Sequence, residues 1–287
     1  MPIAAERARY TLAYSPCPND TYIFAALTNG LLPGAPAVSV ALDDVEALNQ
    51  AARAGRFELT KVSYGAIPYL LDRYRILRAG GALGRGCGPL VIARPDDSGA
   101  VPTLASLPRT ARIAIPGRLT TAYLLLRLAL GFEPPIAEMR FDGIVDAVAR
   151  GAVDAGLIIH ESRFTYAREG LASIADLGDW WERVAGHPIP LGAILVRRDI
   201  DDAQARRINA AIRSSLAYAR RHEAAVAPYV RKHAFEMDDD VMRAHIGLYV
   251  NGYSDDAGEA GIAAVRELFA RSALAGLLTG VEPEFVG

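Results

Sequence analysis

The stretch IVDAVARGAVDAGLIIHES, residues 144–162, decides the fold. Ile144 to Ala149 has helical spacing, Gly151 ends the helix, and Val153 to Ile159 is an apolar run of strand length that stops at the polar tip His160-Glu161-Ser162. The same order occurs in VEALNQAARAGRFELTKVSYG, residues 45–65. There a helix over 45–52 closes at Gly55, a strand runs from Phe57 to Val62, and the tip is Ser63-Tyr64-Gly65. Each unit reads helix, arginine, glycine, acidic residue, strand, polar tip. Helices alternating with short strands are the pattern of βα units on largely parallel sheets, and two such units predict two lobes of similar build. Ligands of open α/β sheets bind beyond the carboxyl ends of the strands, so both tips are expected to face one shared cleft.

Working outward, Tyr10 to Tyr14 is the first strand, ended by the prolines of Ser15-Pro-Cys-Pro-Asn-Asp20. Asn19 or Asp20 is placed to cap a helix beginning near Thr21. Pro95 to Pro108, rich in Pro, Asp, Ser and Gly, reads as a crossing or surface loop. The expected division is therefore a larger discontinuous lobe of residues 1–94 and 189–287 and a smaller inserted lobe of residues 95–188. A strand returns over Pro190 to Arg197, and the helices of the C-terminal third are expected to pack on the first lobe.

Composition narrows the function classes. Of the 287 residues, 51% are apolar and 22% charged, and the net charge of −2 is interspersed rather than gathered into blocks, so no electrostatic footprint for nucleic acid is present. The leader Met1 to Tyr14 has no apolar core of signal-peptide length, and the apolar run Ala122 to Leu130 is broken by Arg127 and too short to span a bilayer. Cys17 and Cys87 alone offer no disulfide framework. The expectation is a cytoplasmic protein with no membrane and no nucleic-acid partner.

Three motifs offer chemistry. Ile113 to Tyr123 is a strand, a turn and a helix start at which Thr120 and Thr121 are placed to cap, and free N–H groups there favour a carboxylate or phosphate. Gly80 to Gly88 lacks the ending of a phosphate loop and runs into the strand Pro89 to Ala93, so it reads as a strand bend or crossover. His160, at the end of an apolar strand, is a candidate base near neutral pH. Cys17 at a helix start has no defined partner for a nucleophile, and Lys61 reads as either a counter-ion to a carboxylate or a solvated lysine. His187, His222, His233 and His245 show no paired metal-ligand spacing.

Taken together, SPCPNDT (15–21), LTKVSY (59–64), GGALGR (80–85), PGR (116–118) with TTAY (120–123), AGLIIHESRFTY (155–166) and PLGA (190–193) resemble the 1,4-dihydroxy-6-naphthoate synthase family of the futalosine route to menaquinone. The resemblance runs from about Tyr10 to Gly261. It implies a fold like type II periplasmic binding proteins, two α/β lobes around a ligand cleft, without export. It also implies a lyase that cleaves cyclic dehypoxanthine futalosine to 1,4-dihydroxy-6-naphthoate with no metal or redox cofactor. On the matching positions His160 becomes the proton acceptor, and Lys61, Val62, Ser63, Thr121 and Ala122 become substrate contacts; Thr120 and Asn19 join them as candidates. The partner expected is a small anionic substrate, with a homodimer as the candidate assembly. Two rivals share the fold: a non-catalytic solute-binding or sensor protein, and the sister enzyme chorismate dehydratase, against which the AGLIIHESRFTY segment speaks.

Overall fold

The computed structural model describes residues 10–234 and 238–287. The leader over residues 1–9, read above for export, lies outside them. Among the described residues, twelve strands form two sheets. In chain order, β1 (Tyr10–Tyr14), β2 (Val38–Leu42), β3 (Leu59–Ser63), β4 (Tyr74–Leu77) and β5 (Ala82–Gly84) belong to the first sheet. The strands β6 (Leu90–Ala93), β7 (Ile113–Ile115), β8 (Ile136–Glu138), β9 (Ala155–Ile158) and β10 (Ala172–Asp176) form the second. The chain then returns to the first sheet with β11 (Ile189–Arg197) and ends there with β12 (Phe285–Val286). The order is β12-β4-β11-β3-β1-β2, with β5 also on β11, and β10-β6-β9-β7-β8.

The sheets are mixed rather than largely parallel. β1 is parallel to β2 and β3, and β7 to β8 and β9, as the βα units require. However, β11 runs antiparallel to β3, β4 and β5, and β6 antiparallel to β9 and β10. These are the strands that the chain enters on passing between sheets, over residues 85–89 and 186–188. At the first passage Gly88 lies against Gly178: a Cβ on Gly88 would stand 2.2 Å from the Gly178 backbone nitrogen. The glycine-rich run is thus strand β5 followed by a crossing, as its lack of a phosphate-loop ending suggests.

Helices α1 (Pro18–Thr28) and α2 (Val45–Arg53) flank the first sheet, and α3 (Thr121–Leu130), α4 (Ile144–Ala149), α5 (Ser162–Thr165) and α6 (Leu177–Ala185) accompany the second. α1 starts earlier than Thr21, with Cys17 at its N-cap and no side-chain cap from Asn19 or Asp20. Proline's fixed φ suits the first helical position, so Pro18 starts the helix and carries Asn19 and Asp20 into its first turn. The C-terminal helices α7 (Asp202–Arg221), α8 (Glu223–His233), α9 (Asp239–Tyr249), α10 (Gly252–Asp255) and α11 (Gly258–Leu274) complete the larger lobe. Ile208, Ile212 and Leu216 of α7 share a buried cluster with Leu12 of β1 and with Ile23 and Phe24 of α1. A second cluster is continuous across the sheets, joining Val62, Ile67 and Leu195 to Val91, Leu125 and Trp181. No helix among the described residues is long and apolar enough to cross a membrane.

Candidate active site

Where the two sheets meet, a cavity of about 90 Å³ is lined by residues from both lobes. Asn19, Lys61, Val62, Ser63, Thr120, Thr121, Ala122 and His160, all singled out in the sequence, line it together. They arrive there by four routes, the first turn of α1 delivering Asn19. β3 ends at Ser63 and delivers Lys61 to Ser63, the start of α3 delivers Thr120 to Ala122, and the turn after β9 delivers His160.

Lys61 is 6% exposed and forms an ion pair with Asp20, so the solvated reading fails. Asp20, 2% exposed, also accepts from Ser15 Oγ and from Asn19 Nδ2, each at 2.8 Å. A buried charge needs this company, because desolvation makes a lone one costly. Lys61 Nζ lies 3.4 Å from the Gly80 carbonyl oxygen.

Ser63 is fixed by Asn49 of α2, whose Nδ2 donates to Ser63 Oγ (3.2 Å) and whose Oδ1 accepts from the Ser63 N–H (2.9 Å). The Ser63 hydroxyl proton is thereby left for the cavity. The two threonines have different duties. Thr120 caps α3, its Oγ1 accepting from the Tyr123 N–H at 3.2 Å and donating to the Gly117 carbonyl at 2.7 Å. Thr121 does not cap: its Oγ1 donates to the Leu191 carbonyl at 2.7 Å and accepts from the Gly65 N–H at 3.1 Å, tying the small lobe to the large one. Glu46 of α2 makes a similar tie, accepting from the Leu119 N–H at 3.2 Å, and burial raises its carboxyl above the ordinary value.

His160 follows β9 in the left-handed region, at φ 58°. Its Nδ1 is 3.3 Å from Cys17 Sγ, and its Nε2, shielded from solvent, has no hydrogen-bond partner among the described residues. Burial pulls the imidazole down to about 4 against the attraction of Asp20, so it is neutral at pH 7 and able to accept a proton. Burial, then the Glu161 carboxylate, raises the Cys17 thiol well above its ordinary value. The pair is therefore thiol and imidazole, not thiolate and imidazolium, which argues against Cys17 as the nucleophile.

Sequence reasoning missed Asp20 as a cavity group, the Cys17 to His160 contact, and His245. His245 is 1% exposed, lines the cavity, and is driven by burial well below the usual histidine value. A histidine on the inner face of an amphipathic helix was the available signal, as was the single charged residue of α1, Asp20.

Two mixed α/β lobes closing on a cavity between their sheets define a protein of periplasmic-binding-protein build. The aliphatic sulphonate-binding protein SsuA of Escherichia coli has the same fold, with a TM-score of 0.64 at 14% identity, covering 95% of this chain and 89% of that one. The crystal structure of a protein from Archaeoglobus fulgidus matches at a TM-score of 0.85 and 34% identity, over 96% of this chain and all of the other. The chain belongs to the menaquinone biosynthesis family, whose model matches residues 10–273. A Thermus thermophilus protein named 1,4-dihydroxy-6-naphtoate synthase is 51% identical over 267 residues, 93% of this chain and 94% of its own. A Streptomyces coelicolor protein of the same name is 47% identical, over 95% of this chain and 96% of its own. The chain is accordingly an enzyme of menaquinone biosynthesis.

Proposed function

We propose that the chain is a carbon-carbon lyase that converts cyclic dehypoxanthine futalosine to 1,4-dihydroxy-6-naphthoate, with His160 as the general base. The observation that carries this reading is the His160 Nε2: enclosed, without a hydrogen-bond partner among the described residues, neutral, and on a residue that lines the cavity. Cleavage beside a carbonyl needs a base to take a proton, donors to hold oxyanion charge, and exclusion of water. Nε2 takes the proton. The Ser63 hydroxyl is the available donor, and the ties through Thr121 and Glu46 hold the lobes together around the reacting atoms. Formation of the aromatic naphthalene ring supplies driving force.

The same arrangement supports a place for the substrate's carboxylate. Asp20 already offsets Lys61, and both histidines are held neutral, so among the described residues no unmatched cation lines the cavity. The N-terminus of α3 at Thr121 and Ala122 is then the site for the carboxylate. Two free cysteines, Cys17 and Cys87, support a cytoplasmic location, where thiols stay reduced.

Incubating the purified protein with cyclic dehypoxanthine futalosine and following the naphthoate by chromatography tests the reading. Product is expected without added metal or redox cofactor. Binding without product would indicate a solute-binding protein instead.

A further inference from the structure

Beside the base lies a cluster of donors that the reaction above does not use. Cys17 Sγ is 3.3 Å from His160 Nδ1, and Glu161 brings a carboxylate oxygen within 4.8 Å of both atoms. His245 Nδ1, buried and without a hydrogen-bond partner among the described residues, is 3.7 Å from Glu161 Oε2. The donors come from both lobes: Cys17 precedes α1, His245 is on α9, and His160 and Glu161 follow β9 of the second sheet.

We propose that Cys17, His160 and Glu161, with His245 as fourth ligand, form an inhibitory binding site for a zinc ion. Thiolate, imidazole and carboxylate are zinc's ligands, with bonds of about 2.3 Å to sulfur and 2.0 to 2.1 Å to nitrogen, which set the two ligand atoms roughly 3.5 Å apart at a tetrahedral angle. The sulfur and nitrogen already stand near that separation. The carboxylate and His245 must move inward. A thiolate with imidazoles selects zinc over magnesium or calcium. Binding releases the Cys17 thiol proton to solvent, while neutral His160 and His245 have none to lose. The thiolate and the Glu161 carboxylate then balance the ion's two positive charges. A metal on Nδ1 leaves the ring proton on Nε2, which then has no lone pair to accept one from the substrate, and a ligand set drawn from both lobes holds the cleft shut.

The inhibitory part rests on His160 as the base; the binding part does not. The metal-free protein is titrated with cobalt(II) chloride and followed by absorption, then with zinc chloride against a chromophoric zinc indicator. One ion per chain is expected, with a thiolate-to-cobalt charge-transfer band. Cys17→Ser should abolish the band, and zinc affinity should fall at least about tenfold in Cys17→Ser and in Glu161→Gln, melting curves confirming that both fold. No thiolate band in the wild type, or unchanged zinc affinity in folded Cys17→Ser, would overturn the site. Zinc should also stop turnover and a chelator restore it. Zinc bound with the thiolate band but turnover undiminished would keep the metal site and remove His160 as the base. An intact band in a protein that never forms the naphthoate would sink only the assigned reaction.

Discussion

His160 is the single non-glycine residue with a positive φ among the described residues, and such strain persists where the surroundings impose it. Its pH behaviour follows from its low position. The neutral imidazole is the accepting form, so kcat/KM should stay level through neutral pH and fall as pH drops through about 4 rather than through the ordinary 6.5. A break at 6.5 in the rate profile would refute the enclosed-base account. Stability shifts over the same window. The unfolded chain protonates His160 below 6.5 and the folded chain only below about 4, so stability present above 6.5 is lost as pH falls through about 4. Wild-type Tm should therefore decline more steeply across that window than the Tm of His160→Asn, asparagine being chosen because it tolerates the left-handed region; parallel declines would contradict the assignment. His160, Ser63 and Thr121 were legible in the sequence because each stands at the end of a strand or the start of a helix, where the chain's pattern changes. The Asp20 partner of Lys61 was not, because the two are 41 residues apart and only packing joins them.

α2 and α3 act on each other across the cleft. Glu46 reaches the Leu119 N–H, Thr121 reaches the Leu191 carbonyl, and Gly65 lets the two lobes come close: a Cβ there would stand 2.9 Å from the Leu119 carbonyl oxygen. Gly65→Ala should hold the loop before α3 away from β3 and impair closure. Removing the Thr121 hydroxyl loses two neutral hydrogen bonds, each worth about 0.5 to 1.5 kcal/mol, so Thr121→Val should raise KM about five- to 150-fold. Steady-state kinetics with melting curves check both, and wild-type KM in both variants would show that these ties do not govern closure. The helices and strands of the two repeated units were readable from periodicity alone. The strands β6 and β11 were readable too, over Pro89 to Ala93 and Pro190 to Arg197, but their antiparallel direction was not, since it depends on which distant strands pack beside them.

The whole molecule is two lobes whose apolar cores run together from Val62 and Leu195 to Val91 and Trp181. The repeated unit made two lobes legible, but not the passage between them. The sequence pointed to the Pro- and Gly-rich loop after Pro95, whereas sheet membership places β6 with the second sheet, and we therefore propose a lobe boundary within 85–89. The loop after Pro95 has the composition of a linker because it is exposed; the passage at Gly88 is tight and leaves no such signature. Closure on ligand should appear in small-angle scattering as a smaller radius of gyration with saturating product, and an unchanged radius would count against a hinge. What joins the lobes to the chemistry is the claim that the small lobe's His160 takes a proton from a substrate enclosed by both. Single-turnover formation of naphthoate by wild type and His160→Asn, each with a melting curve, tests it most directly. The account predicts a folded variant whose rate is about 10² to 10⁴ times lower, the usual worth of a general base; a folded variant with undiminished rate would contradict it.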